Sequence, residues 1–183
     1  IDKKPWELNR IKGLGKKRAA SLVKAVRQNV VVMEIMSHLR SYDISQATAI
    51  KIYKKWGASA IDEINRNPYA LCEIPSVGFK TADDVAKSIG VAEDSPFRIK
   101  AGLTYVLETQ ASSGNTAILL DDLINKTAND VLRVDEFSVA AEIPDEVSAG
   151  NLKREVIDGE QHILLPIYYN AELSIVKHVK RLM

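Results

Sequence analysis

The stretch IKGLGKKRAA, residues 11–20, decides how the fold of this chain is interpreted. Two glycines flank one leucine, and the basic residues Lys16, Lys17 and Arg18 open a predicted helix. Glycine permits positive φ angles and lets the backbone approach a ligand closely. The first N–H groups of a helix have no partner within the helix, and the helix dipole is positive at that end. The stretch therefore predicts a backbone cradle for an anion such as phosphate, to which the basic side chains add full charges.

A related stretch, IPSVGFKTA, occupies residues 74–82. When the GLG of the first stretch is aligned with the SVG of the second, Ala19 also aligns with Ala82, and a small side chain there lets two helices approach closely. The chain is therefore predicted to contain tandem helix–hairpin–helix repeats. A third, degenerate copy begins at Asp43 and has no glycine, and we interpret it as structural.

The second hairpin is predicted to be the weaker of the two anion sites. Ser76 replaces its first glycine. Asp83 and Asp84 lie in the first turns of the following helix, where they suit the helix dipole but oppose a phosphate. Lys80 and Thr81 still offer hydrogen-bond donors.

Contacts from hairpin amides and lysines to phosphate position a nucleic acid without reading its bases. We therefore predict sequence-independent binding to the DNA backbone, with the alternative that either hairpin is a turn that only packs within the protein. The predicted DNA-binding residues are Gly13, Leu14, Gly15, Lys16, Lys17 and Arg18 in the first hairpin, and Val77, Gly78, Lys80 and Thr81 in the second.

The net charge of +1 conceals a strong polarity along the chain. Residues 1–56 carry +9, whereas residues 57–112 carry −3 and residues 113–183 carry −5. A basic N-terminal third indicates a nucleic acid or another acidic partner. The alternative is a basic face that only water covers.

The composition is that of a globular protein, with 46% hydrophobic and 27% charged residues among 183. Cys72 is the single cysteine, which excludes an internal disulfide and fits a reducing compartment. No run of about 18 apolar residues predicts a membrane span, and no signal peptide is evident. We expect a cytoplasmic protein, and because the chain begins at Ile1 rather than methionine we expect it to be a piece of a longer one.

The fold class is predicted to be mainly α, with the repeats in residues 1–92 and a small winged-helix-like α+β unit in residues 93–183. In the second part, helices precede two strands that Asp158-Gly159 joins as a tight hairpin turn, which is the element order of a winged helix. The remaining expectations concern helix bounds: separate helices at 16–29 and 31–40, a helix at 120–132, another at 135–142 interrupted at Pro144, and a last helix at 170–183.

The segment that would read DNA in a winged helix, residues 135–147, is acidic. Carboxylates repel phosphate, so the winged-helix-like unit is predicted to pack or to contact protein rather than to bind DNA.

No catalytic constellation is evident in the sequence. His38, His162 and His178 lie far apart and lack the spacing of metal ligands. The sequence contains no Gly-x-x-x-x-Gly-Lys-Ser/Thr loop, so binding of ATP in the P-loop manner is not expected. Trp56 and Tyr53 lie on an apolar stripe, which favours packing over base stacking.

A longer series of motifs adds a resemblance to a known family. The series comprises SYDISQATAIKIYKKWG at residues 41–57, NPY at 67–69, VGFKTAD at 77–83, DSP at 94–96, RIKAG at 98–102, and Leu165-Pro166 followed by two tyrosines and an amphipathic helix. In this order the motifs resemble the N-terminal region of RecD/TraA-type superfamily 1 helicases.

The resemblance implies that this region precedes a helicase motor, an ATP-driven 5′→3′ DNA translocase. It implies DNA and the motor domain of the same chain as partners, and no membrane. ATP and Mg²⁺ would belong to the motor, and no cofactor is predicted for residues 1–183 themselves.

Two alternatives stay open. Helix–hairpin–helix DNA glycosylase/lyases place a Schiff-base lysine at the position of Lys80 and an aspartate downstream, a layout that Asp94 faintly resembles. Such a lysine needs an apolar pocket that lowers its pKa. The other alternative is a protein-interaction module whose acidic C-terminal half docks on the motor.

Overall fold

The computed structural model describes residues 8, 12, 14–42 and 44–182 of the chain. Contacts between residues divide it into two compact units, residues 1–89 and residues 90–183. The functional boundary predicted after residue 92 stays a prediction.

The N-terminal unit is helical in every regular element that the structure describes. Gly57 ends the second helix in the left-handed region, at φ 60°, as its position in the sequence predicts. The helices are α1 (Lys16–His38), α2 (Gln46–Trp56), α3 (Ala60–Arg66) and α4 (Phe79–Ser88), with single 3₁₀ segments at Arg40–Tyr42, Gly57–Ser59 and Pro68–Glu73.

The core of this unit is formed by aliphatic side chains that recur at helical spacing. Burial of each such side chain stabilises a fold by about 1.5–3 kcal/mol. Those with no exposed surface include Ile35, Leu39, Ile52, Ile64 and Leu71.

Helix α1 differs from its prediction because it is continuous where two helices were expected. Its middle, Asn29 to Met33, contains neither glycine nor proline, and valine lowers helix propensity only slightly. The predicted break near residue 30 is therefore wrong. The buried residues in the second half of α1 are Val32 and Ile35, so this half carries the helix into the core.

The C-terminal unit combines helices with a small antiparallel sheet. Its strands are β1 (Ala117–Leu119), β2 (Lys153–Ile157) and β3 (Glu160–Leu164), in the order β1-β3-β2. Ile163 of the central strand lies opposite Ile118 on one side and opposite Arg154 on the other. The elements in chain order are α5 (Pro96–Ser112), β1 (Ala117–Leu119), α6 (Leu120–Asn125), a π-helical segment (Lys126–Leu132), α7 (Glu136–Ser148), β2 (Lys153–Ile157), β3 (Glu160–Leu164) and α8 (Pro166–Leu182).

The predicted fold class, mainly α with a small β-hairpin unit, is confirmed. Asp158 and Gly159 both have positive φ, 53° and 85°, as a two-residue hairpin turn of type I′ requires. Helix, strand, two helices and a hairpin, with the first strand paired to the last, is a winged-helix-like arrangement.

Three helix bounds in this unit differ from their predictions. Helix α7 continues through Pro144, which lies on an exposed face where water can hydrogen-bond the carbonyl group that loses its helical partner. The helix expected over residues 120–132 becomes π-helical from Lys126 and ends at Arg133, in the left-handed region at φ 57°. Helix α8 begins at Pro166 rather than residue 170, because proline suits the first helical position.

Within the described ranges, none of the helices combines the length and apolarity that crossing a membrane requires.

Candidate nucleic-acid interface

The first hairpin leads into α1 through Gly15, the N-cap residue. Gly15 has an extended conformation, φ −65° and ψ 154°, and contributes no side-chain cap. Its carbonyl oxygen accepts the first helical hydrogen bond, from Ala19 N at 3.0 Å. The amide groups of residues 16–18 therefore precede the first helical donor and have no acceptor within the helix. The first turn of α1 contains no acidic residue.

The predicted basic residues surround this helix end. Lys16, Lys17 and Arg18 are all exposed, and Leu14 is half-buried. An open depression of about 500 Å³ is lined by Leu14, Lys17, Arg18, Ser21 and Leu22. Gly13 lies outside the described residues.

The second hairpin leads into α4 in the same way. Gly78 is the N-cap residue, extended at φ −94° and ψ 171°, without a side-chain cap, and no acidic residue lies in the first turn of α4. Val77 is buried and donates its amide to Ile74 O at 3.0 Å, which closes the hairpin. Lys80 is exposed and Thr81 is half-buried. The structure therefore gives both hairpins the same uncapped helix start.

Ser76, which stands where the first hairpin has Gly13 in the sequence, has an unusual backbone conformation. Its φ is 84°, in the left-handed region that side chains other than glycine rarely adopt. Such a conformation costs about 1–3 kcal/mol and persists where its surroundings hold it. The second hairpin therefore carries a conformational cost that a glycine at position 76 would avoid.

Helix α2 supplies residues to this hairpin that the sequence did not predict. Lys51 Nζ donates to Pro75 O at 3.1 Å and lies 3.4 Å from Ser76 Oγ. Thr48 Oγ1 lies 3.5 Å from the same hydroxyl. The sequence related α2 to a hairpin only through its position after the degenerate third copy. That position does not indicate which residues make contact.

The start of α2 differs from those of α1 and α4. Ser45 Oγ accepts a hydrogen bond from Thr48 N at 3.1 Å and therefore caps the helix. An amide that would be free at the other two helix ends is occupied here. This observation supports the interpretation of the degenerate copy as structural.

Asp83, which was expected to oppose a phosphate, points into the protein. It is 5% exposed, accepts a hydrogen bond from Tyr69 Oη at 2.7 Å and pairs with Lys87 Nζ at 2.8 Å. Its charge is therefore matched within the N-terminal unit, which argues against a strong repulsion of phosphate by Asp83. That the second hairpin is the weaker anion site stays a prediction. Asp84 is exposed and is the acidic residue that still faces solvent beside Asp83.

Most acidic groups of α7 and of its N-cap are also engaged within their own unit. Asp135 caps α7 by accepting hydrogen bonds from Phe137 N and Ser138 N, and Glu136 accepts one from Asn129 Nδ2 at 2.8 Å. Lys100 on α5 pairs with Glu146 at 3.0 Å and with Glu142 at 3.5 Å. The hydrogen bond to Glu146 raises the pKa of Lys100 above its ordinary value. These contacts support the prediction that this segment packs.

Lys80, His38 and His178 are exposed, and His162 is half-buried. Lys80 is an exposed residue on the first turn of α4, whereas a Schiff-base lysine needs an apolar pocket. His38 Nε2 lies 3.2 Å from Asn65 Oδ1, an exposed surface contact. Among the described residues, no group of three or more His, Cys, Asp and Glu side chains is placed to hold a metal ion.

Comparison with known proteins identifies the family. The sequence model of the ATP-dependent RecD2 DNA helicase HHH domain matches residues 28–117, from the middle of α1 to β1. The matched range contains the second hairpin and excludes the first. The ATP-dependent RecD2 DNA helicase of Deinococcus radiodurans is 21% identical over an alignment that covers 100% of this chain and 27% of that protein. Through the helix–hairpin–helix domain at residues 28–117, the chain belongs to the RecD2-type helicase family.

Proposed function

We propose that this chain is the non-catalytic, sequence-independent DNA-binding front end of an ATP-dependent 5′→3′ DNA helicase that acts in DNA recombination and repair. The observation that carries the proposal is the contrast between helix starts. Helices α1 and α4 begin at glycines, without a side-chain cap and without an acidic residue in the first turn. Ser45 and Asp135 cap α2 and α7, and the uncapped helices α3, α5 and α6 begin at residues other than glycine. Free amides at the positive end of a helix dipole are suited to a phosphate oxygen.

The two hairpins would share the work of holding the DNA backbone. Lys16, Lys17 and Arg18 would add charge at the first hairpin, and Lys80 and Thr81 would add donors at the second. Val77 closes the second hairpin from the buried side, and Leu14 occupies the matching position in the first. Gly13 and Gly78 would let the backbone approach the phosphates closely.

Binding of this kind has a characteristic salt dependence. Neutralising about 3–5 phosphates releases counterions, so log K against log salt is expected to fall with a slope of roughly −2 to −4. Because no side chain reads a base, we expect dissociation constants of about 10⁻⁴ to 10⁻⁶ M that are independent of sequence.

Fluorescence anisotropy with labelled single-stranded and duplex DNA tests the proposal. The double variant Lys16→Glu/Lys17→Glu should abolish binding at low salt. Lys177→Glu/Lys180→Glu makes the same change in net charge on exposed residues of α8 and should leave binding intact. The DNA claim is wrong if the unmodified chain does not bind at low salt, or if the two double variants behave alike.

The remaining parts of the proposal concern the whole protein. The chain spans 27% of the length of the curated relative it matches. A motor domain of the same protein would bind ATP and Mg²⁺ and would use the grip of this region on DNA, in the cytoplasm.

A second candidate function is a protein-interaction module that docks on the motor domain. The observation that favours it is α8, which has no buried residue. Its exposed apolar side chains include Leu173, Ile175, Val176 and Val179, from 48% to 62% exposed. An apolar helix face of this size is typical of a contact surface.

Charge placed on this face separates the two functions. Leu173→Glu/Val176→Glu should lower the ATPase and unwinding activity of the full-length helicase, while the DNA affinity of the present chain stays unchanged. Unaltered activity of the full-length variant would contradict docking through α8.

A further inference from the structure

The second hairpin contains a backbone conformation that requires support. Ser76 has φ 84°, where glycine is the usual residue. Conformations of this kind persist when neighbouring groups fix them. The first hairpin has Gly13 at the aligned position, and glycine adopts a positive φ without support from neighbouring groups.

Helix α2 supplies that support from two adjacent turns. Lys51 Nζ donates to Pro75 O at 3.1 Å and approaches Ser76 Oγ at 3.4 Å. Thr48 lies 3.5 Å from the same hydroxyl, is 7% exposed and is itself fixed by Ser45 Oγ at 3.0 Å. Lys51 and Thr48 together form an anchor, which holds the two residues that precede Val77 and the uncapped Gly78.

We infer that Lys51 is a positioning residue: it fixes Pro75 and Ser76 and thereby presets the backbone at Gly78 for a DNA phosphate. The inference rests on the proposed DNA-binding function and adds a residue from a third element to it. Lys51 acts through the hairpin, to which its ammonium group donates at Pro75 O.

A positioning lysine and a phosphate-binding lysine differ in two measurable respects. Loss of a direct phosphate contact makes the salt slope shallower by about 0.7–0.9, because one counterion fewer is released. Loss of a positioning contact lowers affinity without changing the slope. A positioning defect is also rescued by Ser76→Gly, since glycine adopts φ 84° without an anchor.

The experiment measures DNA binding by anisotropy over a range of salt concentrations. Lys51→Ala should weaken binding about three- to tenfold, the range that one net hydrogen bond is worth, with the slope unchanged. Lys51→Ala/Ser76→Gly should recover most of that loss. Lys54→Ala removes an exposed lysine from the same helix, and Ser76→Gly should not alter its effect.

Two results would overturn the inference. A shallower slope without rescue by Ser76→Gly would make Lys51 a phosphate ligand, and undiminished affinity of Lys51→Ala would show that the hairpin needs no anchor. If the unmodified chain binds no DNA, the proposed function fails. The anchor is then judged by urea unfolding: Lys51→Ala should lower the midpoint and Ser76→Gly should restore it, and an unchanged midpoint refutes the anchor.

Discussion

The left-handed backbone at Ser76 permits a sharp prediction about stability. We compare Ser76→Gly with Ser76→Ala, because both lack the hydroxyl and differ only in the Cβ atom. At an ordinary backbone conformation, glycine is less stable than alanine by about 0.5–1 kcal/mol, since it loses more conformational freedom on folding. At φ 84° the order should reverse.

The size of the reversal follows from two opposing effects. The left-handed conformation costs a residue with a Cβ atom about 1–2 kcal/mol, and glycine avoids that cost. The greater freedom of glycine in the unfolded chain offsets about 0.4–1 kcal/mol of this gain. We therefore expect Ser76→Gly to be more stable than Ser76→Ala by about 0.5–1 kcal/mol.

Tryptophan fluorescence during urea unfolding is a suitable assay, because both tryptophans, Trp6 and Trp56, belong to the N-terminal unit. Its signal therefore reports the unit that contains Ser76. Ser21 provides the matched control, since it is exposed within α1, where Ala should be more stable than Gly by about 1 kcal/mol. The reasoning is refuted if Ser76→Ala proves equal to or more stable than Ser76→Gly while the Ser21 pair behaves as expected.

Three further predictions concern contacts within one or the other unit. Asp83→Ala should destabilise the N-terminal unit by about 1–3 kcal/mol, because the buried Tyr69 hydroxyl loses the carboxylate that accepts its hydrogen bond. The control Asp84→Ala should change the stability by less than about 0.5 kcal/mol, and equal effects of the two variants in urea unfolding would contradict this. Gly102→Ala should destabilise the C-terminal unit by about 1 kcal/mol, because the added Cβ would lie 3.0 Å from the Leu132 side chain. This overpacking outweighs the gain in helix propensity. A higher melting midpoint of the variant, measured by circular dichroism, would refute the prediction. The raised pKa of Lys100 means that its pairing with Glu146 stabilises the fold fully below the ordinary lysine pKa, and that this contribution is lost as pH rises through the raised pKa. The melting midpoint of the C-terminal unit, measured by circular dichroism, should therefore fall over that pH range and should fall less in Lys100→Met; equal falls in the two proteins would contradict the prediction.

Local sequence signals predicted much of this fold. Ser45 begins a helix and Gly57 ends it, and Asp158-Gly159 forms the tight turn of the β-hairpin, because each signal acts within a few residues. The break predicted at residue 30 misjudged a local signal, since a run of valines does not end a helix. The error at Pro144 has the opposite cause. Helix continuity there depends on neighbouring elements and on water, which a local pattern does not include.

The sequence predicted the charges and the helix starts of the candidate site, but not the contacts that hold the second hairpin in place. Gly15 and Gly78 lie at uncapped helix starts as expected, since a glycine before a basic run is a local feature. The roles of Lys51 and Asp83 depend on partners 14 to 25 residues away. A pattern of charges in sequence does not show whether a carboxylate faces solvent or a tyrosine.

The continuity of α1 has a mechanical consequence. At about 1.5 Å per residue, some 24 Å of unbroken helix separates Lys16 from Val32, the first core residue of its second half. A helix of this kind is stiff and acts as a strut. A force applied at the first hairpin would therefore move the core residues of α1, because no flexible loop lies between them. The family match begins at residue 28, within the strut. A protein trimmed to the matched residues would keep the core residues Val32 and Ile35 and would lose the exposed basic start of α1.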